Sequence, residues 1–345
     1  MTKLSVHLIT FNGSKYIPFL FDSLRKQTYQ DWELLAIDNS STDNTVELIQ
    51  KELLNFPVSS RLIVNKDNKG FAGGHNQAYH ETKSEYFLIL NQDIYLEKDC
   101  LGKLMQFTDS HPETAAITPR LMRWDFDKKE FTNQIDSLGL KVFRNRRVVE
   151  KGQGEEWTDN DGDQEIFGVS GACALFRRKV IDTVGAYCCT PSHNGCIFDE
   201  SYFMYKEDVD LAFRLRSAGY SAYLVADAVA YHDRTAVGEA YINTPLHEDI
   251  AAAKNKKNQS FYIRYHAYKN HLMTLYKNEY WRNLLLDFPW IFWYELKKFG
   301  YFLLFDRAVL KGLKEIWRDR QELKGKRLKI KDLRKVSWKG MRKWW

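Results

Sequence analysis

The feature that most constrains this chain is an alternation repeated through its first quarter. A short apolar run is followed by a polar turn and then by a stretch with helical spacing. Leu4–Thr10, Trp32–Ile37, Arg61–Asn65 and Tyr86–Leu90 read as strands. Between them Ile17, Leu20, Phe21 and Leu24, and later Val46, Ile49 and Leu53, recur at three- and four-residue intervals, as on one face of a helix. Ser14 and the Asp38–Asp43 turn supply the side chains that start such helices. Strands separated by helices predict an α/β fold with a mostly parallel sheet and helices on both faces. Three of the strands run into loops bearing Asp38, Asn68 and Asp93, which places these residues on one rim of the sheet. Open sheets of this kind bind ligands at that rim.

The most informative of these strand ends is Leu88–Glu97, LILNQDIYLE. A carboxylate at the mouth of a buried strand is costly unless something pairs with it. The residues alone leave two readings open for Asp93: a capped turn, or the metal-binding end of a nucleotide-sugar site.

Further on, Leu101, Leu104 and Met105 mark a helix and Ala115–Pro119 a strand. Residues 124–165 are polar and glycine-bearing, and read as hairpin pieces and loops. Ile166–Phe176 reads as a strand through Gly171-Ala172, whose small residues would let a ligand approach the backbone. Phe198–Gly219 holds a helix ending at Gly219. Its N-terminus falls at Glu207 and Asp208, where the helix dipole favours negative charge. With Asp199 and Glu200 nearby, the residues fit either a capping pair or a general base whose pKa is lifted by a like-charged neighbour. Ala222–Tyr231 is the last apolar run, and His232-Asp233-Arg234 follows it; His232 is a surface histidine or a metal ligand.

In sequence order, Thr10-Phe11-Asn12, the Asp38–Asp43 turn, Asn68–Asn76 (NKGFAGGHN), Asn91-Gln92-Asp93, Gly171-Ala172, Glu207-Asp208-Val209-Asp210 and His232 together resemble the family-2 glycosyltransferases of the GT-A fold, in their rhamnosyltransferase-like branch. The resemblance covers residues 4–280. It implies that Thr10 and Asn12 line a nucleotide pocket and that Asp38 bonds the base or ribose. Asn68, Gly73 and Asn76 would hold the nucleotide, and Asn91 stands where the first acid of an Asp-X-Asp motif would be. Asp93, its last acid, and His232 would bind Mg²⁺ or Mn²⁺. Asp208, with Glu207 beside it, matches the catalytic base. Gln92 departs from the Asn-Pro-Asp common in the branch. A single base opposite a diphosphate leaving group predicts inversion of the anomeric centre. The donor favoured by resemblance is dTDP-rhamnose, with UDP-linked hexoses open. Acceptors would be glycans, including those carried on polyprenyl diphosphate lipids. A sugar-nucleotide fold that only scaffolds a glycan assembly complex is the alternative. Nucleotidyltransferase and dinucleotide dehydrogenase readings lack the glycine-rich loop each needs after the first strand.

Composition adds a division. Residues 261–345 carry 21 Lys/Arg against 8 Asp/Glu, while 1–260 carry 30 against 37. This predicts a catalytic domain over 1–260 and a basic, aromatic helical region over 261–345. Aromatic residues crowd 288–305, and ten basic residues and Trp344-Trp345 lie in 324–345. No stretch is apolar enough to span a bilayer, so amphipathic helices on an anionic membrane surface are expected; nucleic acid is the weaker partner. The absence of an N-terminal signal and five cysteines without paired spacing fit a reduced, cytoplasmic setting, peripheral to the inner membrane face. Cys188, Cys189 and Cys196 lie near His193, but their spacing matches no zinc pattern.

Overall fold

The computed structural model describes residues 2–158, 162–185, 195–234 and 260–345. Its centre is a ten-stranded sheet ordered β10-β12-β6-β11-β4-β1-β2-β3. The first strands are β1 (Leu4–Thr10), β2 (Trp32–Asp38), β3 (Ser60–Val64) and β4 (Tyr86–Asn91); they pair in parallel. Beyond β4 the sheet is mixed. β11 (Cys173–Arg177) runs antiparallel to both β4 and β6 (Thr114–Asp125), whereas β12 (Ser221–His232) is parallel to β6. The short β5 (Ile94–Leu96) and β10 (Gln164–Glu165), and β7 (Glu130–Ser137), add antiparallel edges. The α/β architecture is the one expected from the sequence. The antiparallel half is the difference: β11 is expected as a strand, but its direction is not written in an apolar run, and β7 and β10 fall in the polar stretch 124–165, where no periodicity announced them. The strand expected over Ile166–Phe176 shortens to β11, and residues 166–172 cross the rim as loop.

Both faces of the strands are buried, which explains their unbroken apolar runs. In β4, Leu88 and Leu90 face one core, with α1 (Ile17–Arg25), α2 (Thr45–Leu53) and α4 (Cys100–Ser110); Phe87 and Ile89 face a second, with α3 (Gly70–Glu81), α5 (Arg178–Gly185) and α6 (Glu207–Ser217). Register sets the rim: Thr10 pairs with Asp38, and Ile9 with Asn91.

The boundary drawn at residue 260 precedes a helix, α7 (Phe261–Asn278), that packs on the same body. Its Lys277 is buried between Asp199 at 2.6 Å and Asp210 at 3.0 Å; Lys326 reaches Asp199 at 2.7 Å, and Arg214 holds Asp210 at 3.0 Å. Two acids and three bases thus satisfy one another where water is excluded. α8 (Trp281–Leu286) and α9 (Phe288–Phe305) follow. The end of the chain folds back. The Trp344 ring lies under Arg216 and meets Phe167, and Trp345 lies under Arg146 and donates its indole N–H to Asp287. The tryptophan pair expected at a lipid headgroup zone is therefore half-buried against the protein, because cationic guanidinium groups and an acceptor carboxylate offer it partners there.

Cys100 and Cys173 are buried free thiols. Cys196 is disulfide-bonded, so not every cysteine is reduced as expected, and its sulfur is removed from metal ligation. Cys188, Cys189 and His193 lie outside the described residues.

Candidate active site

A cavity of about 430 Å³ opens at the rim between the end of β4 and the start of α6. Asn91, Asp93, Glu207, Asp208 and His232 all line it, as do Glu150 and Arg234. The acid after the fourth strand and the acid opening the late helix, far apart in sequence, share one crevice.

Asp93 is carried on the turn between β4 and β5. Gln92 fixes that turn: its side-chain amide accepts the backbone N–H of Phe11 at 3.0 Å and donates to the Phe11 carbonyl at 3.1 Å. Gly13 makes room for it, since a Cβ there would stand 2.2 Å from the Gln92 amide oxygen. The departure from proline at this position thus has a structural use, because proline has no amide to pair.

His232, the last residue of β12, points Nε2 at Asp93 Oδ2, 3.4 Å away, and its Nδ1 bonds Asp136 at 2.8 Å. Asp136 also takes a forked pair from Arg234, at 2.9 and 3.0 Å, and Arg234 continues to Glu150 at 3.1 Å. Burial opposes charge on His232, but Asp93 and Asp136 outweigh it and raise its pKa to about 10. Asp136 is buried too; Arg234 and His232 overcome that burial and hold its carboxyl well below the usual range.

On the opposite wall, α6 begins after a turn in which Phe203, Tyr205 and Lys206 adopt φ of 61°, 68° and 72°. Left-handed backbone at three non-glycine residues costs about 1–3 kcal/mol each and persists only where surroundings enforce it. Asn270 of α7 does so: its buried amide nitrogen donates to the carbonyls of Tyr202 (2.9 Å), Met204 (2.8 Å) and Tyr205 (2.8 Å). The His266 ring stacks on Phe203. Gly70, at φ 71°, presses against the same turn; a Cβ there would stand 2.5 Å from the Phe203 carbonyl. The turn sets Asp208 with Oδ2 accepting the Gly171 N–H at 3.1 Å and Oδ1 accepting the Val209 N–H at 2.7 Å. Burial, then the charge of Glu150, raises the pKa of Asp208; burial, then Asp208, raises that of Glu207. Glu207 Oε2 is buried without a hydrogen-bond partner.

The remaining expected residues lie apart from this cavity. Asn12 is exposed just after β1, where its side-chain amide oxygen accepts the Thr42 N–H at 2.8 Å. Thr10 and Asp38 are buried and bonded to each other at 3.0 Å; Asp38 also accepts the N–H and hydroxyl of Ser41. Both oxygens of Asp38 thus take part in shaping its turn. Asn68 likewise accepts the Gly70 N–H at 2.8 Å and starts α3. Gly73 lies in the first turn of that helix. Asn76 is corrected outright. It is buried, and its amide accepts the N–H groups of Ile197 and Phe198 and donates to the Phe198 carbonyl and Glu200. A polar group inside must be paired, and this one is consumed as a brace. Asp136, Glu150 and Asn270 were not singled out from the sequence.

Asp93 and His232 are a carboxylate and an imidazole facing one point of the cavity, with Asp136 fixing the other ring nitrogen. With the Nε2 proton displaced by the ion, that donor set would fit a divalent cation, preferentially one tolerating nitrogen. Among the described residues no cluster of three or more such side chains is found, so other ligands would come from a diphosphate or solvent.

The profile described as Glycosyl transferase family 2 matches residues 5–185. The chain is 24% identical over 254 residues to the N-acetylglucosaminyl-diphospho-decaprenol L-rhamnosyltransferase of Mycobacterium tuberculosis, covering 68% of this chain and 78% of that protein. It is 32% identical over 115 residues to the poly(ribitol-phosphate) beta-N-acetylglucosaminyltransferase TarS of Staphylococcus aureus, covering 32% of this chain and only 20% of that relative. Among solved structures, the mannosyltransferase PcManGT from Pyrobaculum calidifontis, in complex with GDP-Man and Mn²⁺, superimposes with a TM-score of 0.51 at 16% identity, over 93% of this chain and 75% of that one. At that identity the likeness is one of fold.

Proposed function

This chain belongs to glycosyl transferase family 2, and from that premise we propose that it is an inverting transferase moving a sugar from a nucleotide-sugar donor to a hydroxyl of a glycan or lipid-linked glycan. The observation that carries the reading is the shared cavity of Asp93 and Asp208. Asp208 is the base: its raised pKa suits removal of a proton from an acceptor hydroxyl. Its two backbone bonds, from Gly171 and Val209, orient the carboxylate. Glu207 helps keep the pair from ionising together. Asp93 and His232 would hold Mg²⁺ or Mn²⁺, and a cation held there supplies neutralisation of the charge that grows on a diphosphate leaving group. Asn91 lines the cavity beside them, and Asn12 with the Ser41-Thr42 turn offers polar groups for the nucleotide.

The name of the mycobacterial relative supports L-rhamnose as the sugar and a lipid-linked N-acetylglucosaminyl diphosphate as the kind of acceptor; dTDP as its carrier is what the sequence resemblance implies. A UDP-linked hexose is the second donor class. Acceptors on lipids support a place at the cytoplasmic membrane face. Incubation with a panel of nucleotide sugars tests the reading. Release of free nucleotide from dTDP-rhamnose, with Mn²⁺ and a lipid-diphosphate sugar acceptor, is expected; no release from any sugar nucleotide would refute it. Proton NMR of the product reads the anomeric configuration.

A further inference from the structure

Helices α8 and α9 bury one edge and leave the other bare. In α9, Ile291 and Phe302 point inward, Phe302 meeting Tyr268 of α7 at 4.9 Å, and Glu295 bonds His271 on the same side. Phe288, Phe292, Leu296, Phe299 and Leu303 recur at helical spacing along α9 and are exposed, as is Leu285 of α8. Flanking them, Trp293 is 59% and Leu304 71% exposed. An apolar stripe along an 18-residue helix, about 27 Å long, exceeds the scattered apolar exposure normal for a protein surface.

Charge says what covers it. Each acid between 281 and 320 is already paired with a base: Asp287 with Arg144 and Arg342, Glu295 with His271, Asp306 with Arg264, Glu315 with Lys269, and Asp319 with Arg318. The exposed charges of that stretch are Lys and Arg alone, among them Arg282, Lys297, Arg307, Lys311 and Lys314. Among the described residues no helix is long and apolar enough to cross a membrane. We infer that the α8–α9 face docks onto an anionic lipid bilayer, lying in its plane with the apolar stripe at the acyl boundary and the bases among the headgroups. The inference deepens the membrane partner of the proposed function and rests on that reading. It also moves the contact away from the basic end of the chain, whose Trp344 and Trp345 are occupied by Arg216 and Arg146.

The full chain should pellet with vesicles of equal parts phosphatidylglycerol and phosphatidylcholine, and much less with phosphatidylcholine alone. Exchanging Phe292, Leu296 and Leu303 together for Gln should reduce pelleting by more than about tenfold, with the thermal melt unchanged because these side chains support no core. Pelleting of the triple variant at the full-chain level would overturn the inference. So would a full chain that ignores vesicles and instead forms a dimer the triple variant abolishes, since the face would then seat a second copy. The assay uses no donor, so its failure leaves nucleotide release untouched, and failure of nucleotide release leaves pelleting untouched.

Discussion

The Asp208 carboxylate accepts the backbone N–H of Gly171 at 3.1 Å, tying the start of α6 to the loop that precedes β11. An amide side chain can keep one of the two backbone bonds, since its nitrogen does not accept, and it cannot take a proton. Asp208→Asn is therefore expected to bind donor as the unaltered chain does, in calorimetry, and to lose about 10²–10⁴-fold in turnover. Near-normal turnover would remove Asp208 from the role of base.

The pH profile follows from the same carboxylate. Its pKa is raised by burial and then by Glu150, so the active, deprotonated form fills in at a higher pH than for an ordinary carboxyl. The acid limb of kcat/KM should lie above the usual Asp range, with activity rising as pH increases through it. Glu150→Gln removes a negative neighbour and should shift that limb to lower pH. A limb that stays in place or moves upward contradicts this account.

Asp93 and His232 face each other across 3.4 Å. Asp93→Ala should leave donor binding insensitive to EDTA, whereas in the unaltered chain EDTA should weaken it. Titration calorimetry of the nucleoside diphosphate, with and without chelator, distinguishes the two.

Asn270 touches nothing that reacts, yet it holds three carbonyls of the turn before Glu207. Asn270→Ala leaves these acceptors without their donor and should cost about 1–3 kcal/mol in urea unfolding. As a positioning residue it should lower kcat more than it changes KM for donor. An equal fall in stability with kcat intact would mark it as structural only.

Asp199 and Lys277 predict the response to acid. Burial would raise the Asp199 pKa, but Lys277 and Lys326 outweigh it and hold it well below its ordinary value. A carboxyl whose folded pKa is depressed contributes stability above its unfolded pKa, about 3.9, and loses that contribution as pH falls toward the folded value. Unfolding free energy should thus drop steeply below about pH 4. Lys277→Ala, which leaves Asp199 to Lys326 and Asp210 to Arg214, should cost about 1.5–3 kcal/mol near neutrality. Denaturant midpoints across pH in both proteins provide the check.

How far the sequence could be read depended on what each residue's neighbours were. The parallel strands were plain because both their faces are buried, as Leu88 and Phe87 show by facing opposite cores. Asp93, Asp208 and His232 were legible because each sits where an apolar run meets a polar one. Asp136 and Glu150 were not, because they lie on hairpin strands without periodicity and acquire meaning only through their partners His232 and Arg234. Asn76 was misread for a general reason. An amide that braces the interior and one that greets a ligand look alike until the bonds are counted, and all of its are internal. Trp344 and Trp345 misled in the same way, since aromatic rings beside arginines suit a lipid headgroup layer and a folded-back end equally well.

The Gln92 amide, braced on Phe11 and seated over Gly13, makes positions 13 and 92 a single inheritable trait split between two strand ends. A methyl at 13 would push the flexible end of the glutamine off Phe11, and meets no such obstacle once that side chain is cut short. Descendants of this chain keep the brace on Phe11 only while both positions stay as they are.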